Sequence, residues 1–168
     1  MKFKFDVQMK REYMFDFLLQ YLYSTWKGKL SVFLGIAAIL MGIFSWSQTG
    51  IQSGMLNMIF GVIFLVIFPA IQWGKAGKIV SETKTYEAPF TYKVEETGIT
   101  TIQKAQSSHV YWNQVMMVRK SRKCIYVYMD RTTAFIWPRE LLGNDYKDLL
   151  NFMKDHVEVE KFKIRMPR

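Results

Sequence analysis

From Leu30 to Gly74 the chain runs for 45 residues without one Asp, Glu, Lys, Arg or His. All 37 of its acidic and basic residues lie outside that block. Two apolar segments fill it. Leu30–Trp46 (LSVFLGIAAILMGIFSW) and Met55–Trp73 (MLNMIFGVIFLVIFPAIQW) flank the polar, glycine-containing stretch SQTGIQSG at 47–54. As helices these segments rise roughly 26 and 28 Å, close to the ~30 Å of a bilayer's hydrocarbon core. Val, Ile, Leu and Phe fill nine positions of the first and eleven of the second. Each favours insertion by roughly 0.3–0.6 kcal/mol. Trp26, Trp46 and Trp73 stand near three of the four helix ends, where amphipathic rings prefer the membrane interface. A buried hairpin in a soluble protein fits poorly, because a soluble helix of that length carries a charged, wet face. A cleavable signal peptide also fits poorly, since the apolar run starts late and a second run follows.

The expected architecture is therefore an α+β membrane protein with a transmembrane hairpin at 30–74, its helices at 30–46 and 55–73. Residues 1–29 precede it as a strand and a juxtamembrane helix, and 75–168 follow as a small antiparallel β domain with a C-terminal helix. Gly35, Ala38 and Gly42 on the first helix, and Gly54 and Gly61 on the second, offer small faces for close backbone packing. Glycine is also simply common in membrane helices, and the two readings stand level. Pro69 withdraws the hydrogen bond that the Leu65 carbonyl would accept, so a kink is expected there. Neither span holds an ionisable residue, which argues against a proton or ion pathway.

Two spans put both termini on one side. Lys10, Arg11, Lys27 and Lys29 before the hairpin, with Lys75, Lys78 and Lys84 after it, mark that side as cytoplasmic. The expected location is the inner, plasma membrane. The net charge of +9 then faces anionic lipid. Phe3, Phe5, Val7 and Met9 alternate with polar residues, a strand pattern that needs a sheet on its own side. Met14, Phe17, Leu18, Tyr21 and Leu22 follow at helical spacing. That helix fits either the interface or the face of the soluble domain.

In the C-terminal half, Phe90–Val94 and Ile99–Lys104 read as a hairpin about Glu96-Thr97-Gly98. Ser107-Ser108 is expected to break the chain. Trp112, Val115 and Val118 lie three apart, a spacing open to strand or short helix. The run RKSRK at 119–123 reads as a solvated turn, and CIYVYM at 124–129 is rich in strand formers. TAFIW returns until Pro138, and Tyr146, Leu149, Leu150, Met153 and Val157 stripe a last helix. The tail from Lys161 to Arg168 is basic and expected to fray.

This order of parts, with Tyr111-Trp112-Asn113-Gln114-Val115 and Ala134-Phe135-Ile136-Trp137-Pro138-Arg139, resembles the YcxB-like family of small bacterial membrane proteins. Tyr111, Trp112, Val115, Pro138 and Arg139 carry the resemblance. It implies a two-span inner-membrane protein with a cytoplasmic C-terminal domain, similar to the pleckstrin-homology-like barrels of other bacterial membrane proteins. It implies no enzyme activity and no catalytic residues.

Arg119, Lys120, Arg122 and Lys123 form the one dense basic cluster. They are a candidate contact for phosphate or anionic lipid head groups, against a plain solvated turn whose charges help orient the chain. No nucleic-acid motif accompanies the positive charge, so a nucleic-acid partner is not expected. His109 and His156 lack ligand spacing, and the one cysteine, Cys124, reads as structural; no metal or other cofactor is expected. No phosphate loop, nucleophile elbow or paired-carboxylate motif appears, so no enzyme is expected either. The preferred reading is a membrane-held binding or scaffold domain, whose partner is lipid, another protein or a second copy. The alternative is an accessory or immunity-type membrane protein that acts through its spans.

Overall fold

The computed structural model describes residues 3–49 and 51–164. The chain divides into two compact units, residues 18–78 and residues 1–17 with 79–168.

The first unit is an apolar helical hairpin. Helix α1 (Arg11–Ser24) leads into it, and α2 (Trp26–Thr49) is its first arm. Thr25 separates α1 from α2; its hydroxyl donates to the Leu22 carbonyl at 2.7 Å and accepts from the Gly28 N–H at 3.2 Å. A Cβ on Gly28 would fall 1.8 Å from the Leu22 carbonyl oxygen, so this junction admits only glycine. The second arm runs through α3 (Ile51–Val62), a π turn (Ile63–Ile67) and α4 (Phe68–Glu82). The polar stretch at 47–54 is thus helical at its described positions. Position 50 within it lies outside the described residues. Both arms also outrun the apolar segments, to Thr49 and to Glu82, since the helical backbone continues once started at little cost in polar residues. The π turn holds Leu65, whose carbonyl finds no N–H four residues on, because that residue is Pro69. A wider turn is one way a helix absorbs a missing donor.

The two arms meet backbone to backbone. A Cβ on Gly61 would stand 2.8 Å from the Gly35 carbonyl oxygen, and one on Gly54 would stand 2.8 Å from that of Gly42. Ala38 is half-buried between these crossings.

Among the described residues the second unit holds seven strands. Strands β1 (Phe3–Val7), β2 (Phe90–Glu95), β3 (Gly98–Gln103) and β4 (Gln106–Tyr111) form one antiparallel sheet in that order. Strands β5 (Met117–Lys120), β6 (Cys124–Tyr128) and β7 (Ala134–Pro138) form the other. The N-terminal strand pairs Phe3 with Val94 and Val7 with Phe90, so the chain's first residues complete the sheet. Its alternation puts Phe3 and Val7 inside and Lys4 and Asp6 in water. Helix α5 (Arg139–Leu142) follows β7, and α6 (Asp145–His156) carries Leu149, Leu150 and Met153 into the core. There they join Phe3, Val7, Val94, Ile99, Val118, Val127 and Trp137.

Three local expectations need correction. Ser107 and Ser108 lie inside β4, paired with Ile102 and Thr101. The turn comes earlier, at Lys104, the one described non-glycine residue with positive φ (53°). Both serines are exposed on an edge strand, where a hydroxyl costs nothing. The basic run is not one turn, because Arg119 and Lys120 belong to β5. The start of the tail is held. Phe162 bridges Val118 in parallel, with Val118 N–H on the Lys161 carbonyl at 2.8 Å and Lys163 N–H on the Val118 carbonyl at 2.9 Å, and Ile164 is buried. Residues 165–168 lie outside the described residues.

Candidate functional site

A basic groove opens at the α5 end of the three-stranded sheet. Backbone pairing builds it. The ladder of β6 and β7 places Cys124 opposite Pro138, and one step beyond, the Arg139 N–H donates to the Lys123 carbonyl at 2.7 Å. That bond sets the turn residues Arg122 and Lys123 beside the first residues of α5. Pro138 ends the strand with φ −64° and, lacking an N–H, begins the turn into the helix. The start of α1 supplies the third wall. The groove, about 600 Å³, is lined by Lys10, Glu12, Tyr13, Arg122, Lys123, Arg139, Glu140 and Gly143.

Polar contacts tie α1 to this wall. The Tyr13 hydroxyl donates to Glu140 Oε1. Burial first, and then that carboxylate, push the Tyr13 phenol well above its ordinary value, so it stays a donor. One turn on, the Asp16 carboxylate accepts from the Ser121 and Tyr126 hydroxyls. Ser121 Oγ in turn accepts from the N–H groups of Lys123 (3.0 Å) and Cys124 (2.9 Å), which shapes the basic turn. Phe17 lays its ring against Tyr126 and Tyr128, with centroids 5.6 and 6.0 Å apart. The opening turns of α1 therefore pack on the β unit, the second of the two settings open to that helix.

Four cations line the groove, against the two carboxylates of Glu12 and Glu140. Among the described residues none of the four is ion-paired. The Lys10 ammonium lies 5.6 Å from the Tyr13 ring centroid, and the Arg139 guanidinium lies 4.6 Å from that of Tyr146. These are cation–π contacts, which orient the side chains and leave their charge uncancelled.

The basic cluster expected at 119–123 is thus divided. Arg122 and Lys123 line the groove, exposed. Arg119 and Lys120 are half-buried neighbours on β5, whose side chains take opposite faces of the strand. Arg119 donates through Nε to Met117 Sδ at 3.1 Å. Lys10, Glu12, Tyr13 and Glu140 line the groove without standing out in the sequence. No local signal marks them, because residues 10–13 and 139–143 meet only through the fold.

The motif residues take mixed roles. Trp112 and Val115 bracket a 3-10 turn (Trp112–Gln114), whose three residues per turn bring both inward. Val115 is fully buried, and the Trp112 indole N–H donates to the Glu95 carbonyl at 3.0 Å. Tyr111 is exposed, its ring 4.7 Å from that of His109. His109 Nδ1 pairs with Thr100 Oγ1 and His156 Nδ1 with the Phe152 carbonyl, each at 2.8 Å. Cys124 is buried. Burial first, with Asp16 adding to it, pushes its thiol up to about 12, far from a reactive thiolate.

Residues 94–153 match the family model of YcxB-like protein, a segment that runs from β2 into α6. It contains Arg122, Lys123, Arg139, Glu140 and Gly143 of the groove. No curated protein and no solved structure matches the chain.

Proposed function

We propose, from the YcxB-like segment at 94–153 together with the hairpin, that the chain is an integral inner-membrane protein displaying a small cytoplasmic binding domain. The observation that carries the reading is the uncovered apolar surface of the hairpin. Two helices, Trp26–Gln48 and Gly54–Glu82, are long and apolar enough to cross a bilayer, and only 11% of either apolar window is buried within the protein. Phe33, Leu40, Phe44, Leu56, Phe60 and Val66 all face outward. A soluble monomer rarely tolerates an apolar patch beyond a few hundred Å². Lipid is the solvent that suits this surface.

The strand β1 supports the topology. The segments before and after the hairpin belong to one compact unit, so two spans leave both termini on the same side. The flanking lysines favour the cytoplasm for that side. Seven strands in sheets of four and three, followed by a helix that fills the core, support the pleckstrin-homology-like reading. The alternative of action through the glycine faces has less support, since Gly35, Gly42, Gly54 and Gly61 already spend their faces on each other.

Carbonate extraction of membranes tests the anchor, and the chain is expected in the pellet. Cysteine accessibility tests the topology in a Cys124→Ser background. Gln48→Cys is expected to label from outside intact cells, and Ser107→Cys only after permeabilisation. Release of the chain into the supernatant overturns the proposal.

A further inference from the structure

The groove beside α5 has the chemistry of an anion receptor, and we propose that it binds a phosphate ester. The inference names the ligand class of the binding domain proposed above, yet it rests on the β unit's own geometry. Lys10, Arg122, Lys123 and Arg139 converge from three separate elements and none is ion-paired among the described residues. Two carboxylates share the space. Glu140 is engaged by the Tyr13 hydroxyl rather than by a cation. The balance is +2, from four cations less two carboxylates. It matches a dianion and gives less to a monoanion. Two guanidinium groups supply planar, bidentate donors suited to phosphate oxygens, and two ammonium groups supply point charge. A volume of about 600 Å³ lies within the range of small-ligand pockets, so the site has room for the organic part of an ester as well as its phosphate.

The wall of the groove is fixed before any ligand arrives. The Arg139–Lys123 backbone bond, the Ser121 bonds to the turn and the Asp16 and Tyr13 bonds from α1 all hold in place the backbone that carries the cations. A preformed site loses little ordering entropy on binding. Gly143, with nothing within 4 Å of where its Cβ would be, leaves one side of the groove open.

The test is site-resolved lysine acetylation of the full chain in phosphatidylcholine nanodiscs, read by peptide mass spectrometry. Inorganic phosphate is added against chloride at equal ionic strength. Slower modification is expected at Lys10 and Lys123, with Lys120 and Lys154 unchanged. Arg139→Gln and Arg122→Gln should each raise the half-protecting phosphate concentration about tenfold, as loss of one charge-assisted contact predicts. Arg122 makes no ring contact, so its variant separates lost binding from any loosening of α5. A second arm replaces free phosphate with nanodiscs containing phosphatidic acid. Protection there assigns the site to a lipid head group, and protection by free phosphate alone assigns it to a soluble ester. Equal change at all four lysines, or none in either arm, overturns the proposal. Carbonate extraction reads the anchor separately, so either inference can fail alone.

Discussion

Removing the Asp16 carboxylate should destabilise the β unit through a group that stays behind. Tyr126 is fully buried on β6, and its hydroxyl donates to Asp16. In Asp16→Ala that hydroxyl loses its acceptor inside the protein. An orphaned buried donor costs about 1–3 kcal/mol. Ser121 Oγ lies 3.4 Å from the Tyr126 hydroxyl and provides a poor second acceptor, which holds the cost near ~2 kcal/mol. In Tyr126→Phe the donor leaves instead. Asp16 is half-buried and keeps Ser121, so that change costs only about 1 kcal/mol. The double variant has neither group and leaves no orphan, so its cost should fall short of the sum by about 1 kcal/mol. At roughly 4–8 °C per kcal/mol for a domain of this size, Asp16→Ala lowers the melting temperature by about 10 °C and Tyr126→Phe by about 5 °C. The assay is thermal unfolding of the full chain in detergent, followed by near-ultraviolet circular dichroism. Costs that add in the double variant, or an Asp16→Ala chain that melts like the parent, refute the reasoning.

Alkaline pH should loosen the same region. The Cys124 thiol rises from an ordinary 9.0 to about 12, and burial also raises Tyr92 and Tyr126. The unfolded chain sheds these protons first, so their stabilisation is whole below pH 9 and drains away as pH climbs toward 12. A melting temperature measured against pH should fall across that window, and Cys124→Ala should flatten its lower edge. Gly61→Val should force the hairpin apart, since its Cβ would meet Ile39 Cγ1 at 2.4 Å and the Gly35 carbonyl at 2.8 Å. Such overpacking costs about 1–3 kcal/mol, read as unfolding at lower sodium dodecyl sulfate, while Gly74→Val, with open space around it, changes nothing. At the β6–β7 turn, Asp130 Oδ1 accepts from the N–H groups of Thr132 and Thr133, both at 2.7 Å, which holds its carboxyl down at about 2. Asp130→Ala should speed amide exchange at those two threonines. In the parent chain the same loosening appears only as the pH drops from about 4 toward 2.

Periodicity along the chain was enough to specify much of this protein. A charge-free block dictates two long apolar helices, because no other arrangement of 45 such residues finds a solvent. Alternation in β1 and β2 and the helical stripe of α6 likewise encode which faces turn inward. Those are local properties, repeated every two or every 3.6 residues. Where an element ends is less local. The serines of β4 look like a break until a partner strand occupies one edge and water the other, and the tail looks free until Val118 offers its backbone. The groove lay furthest from view. Lys10 and Arg139 are 129 positions apart, and nothing in either neighbourhood mentions the other. Only the closing of β1 and α1 onto a domain built mostly from the far side of the hairpin brings their charges to one cavity, because electrostatic convergence is a property of distance in space and not of order along the chain.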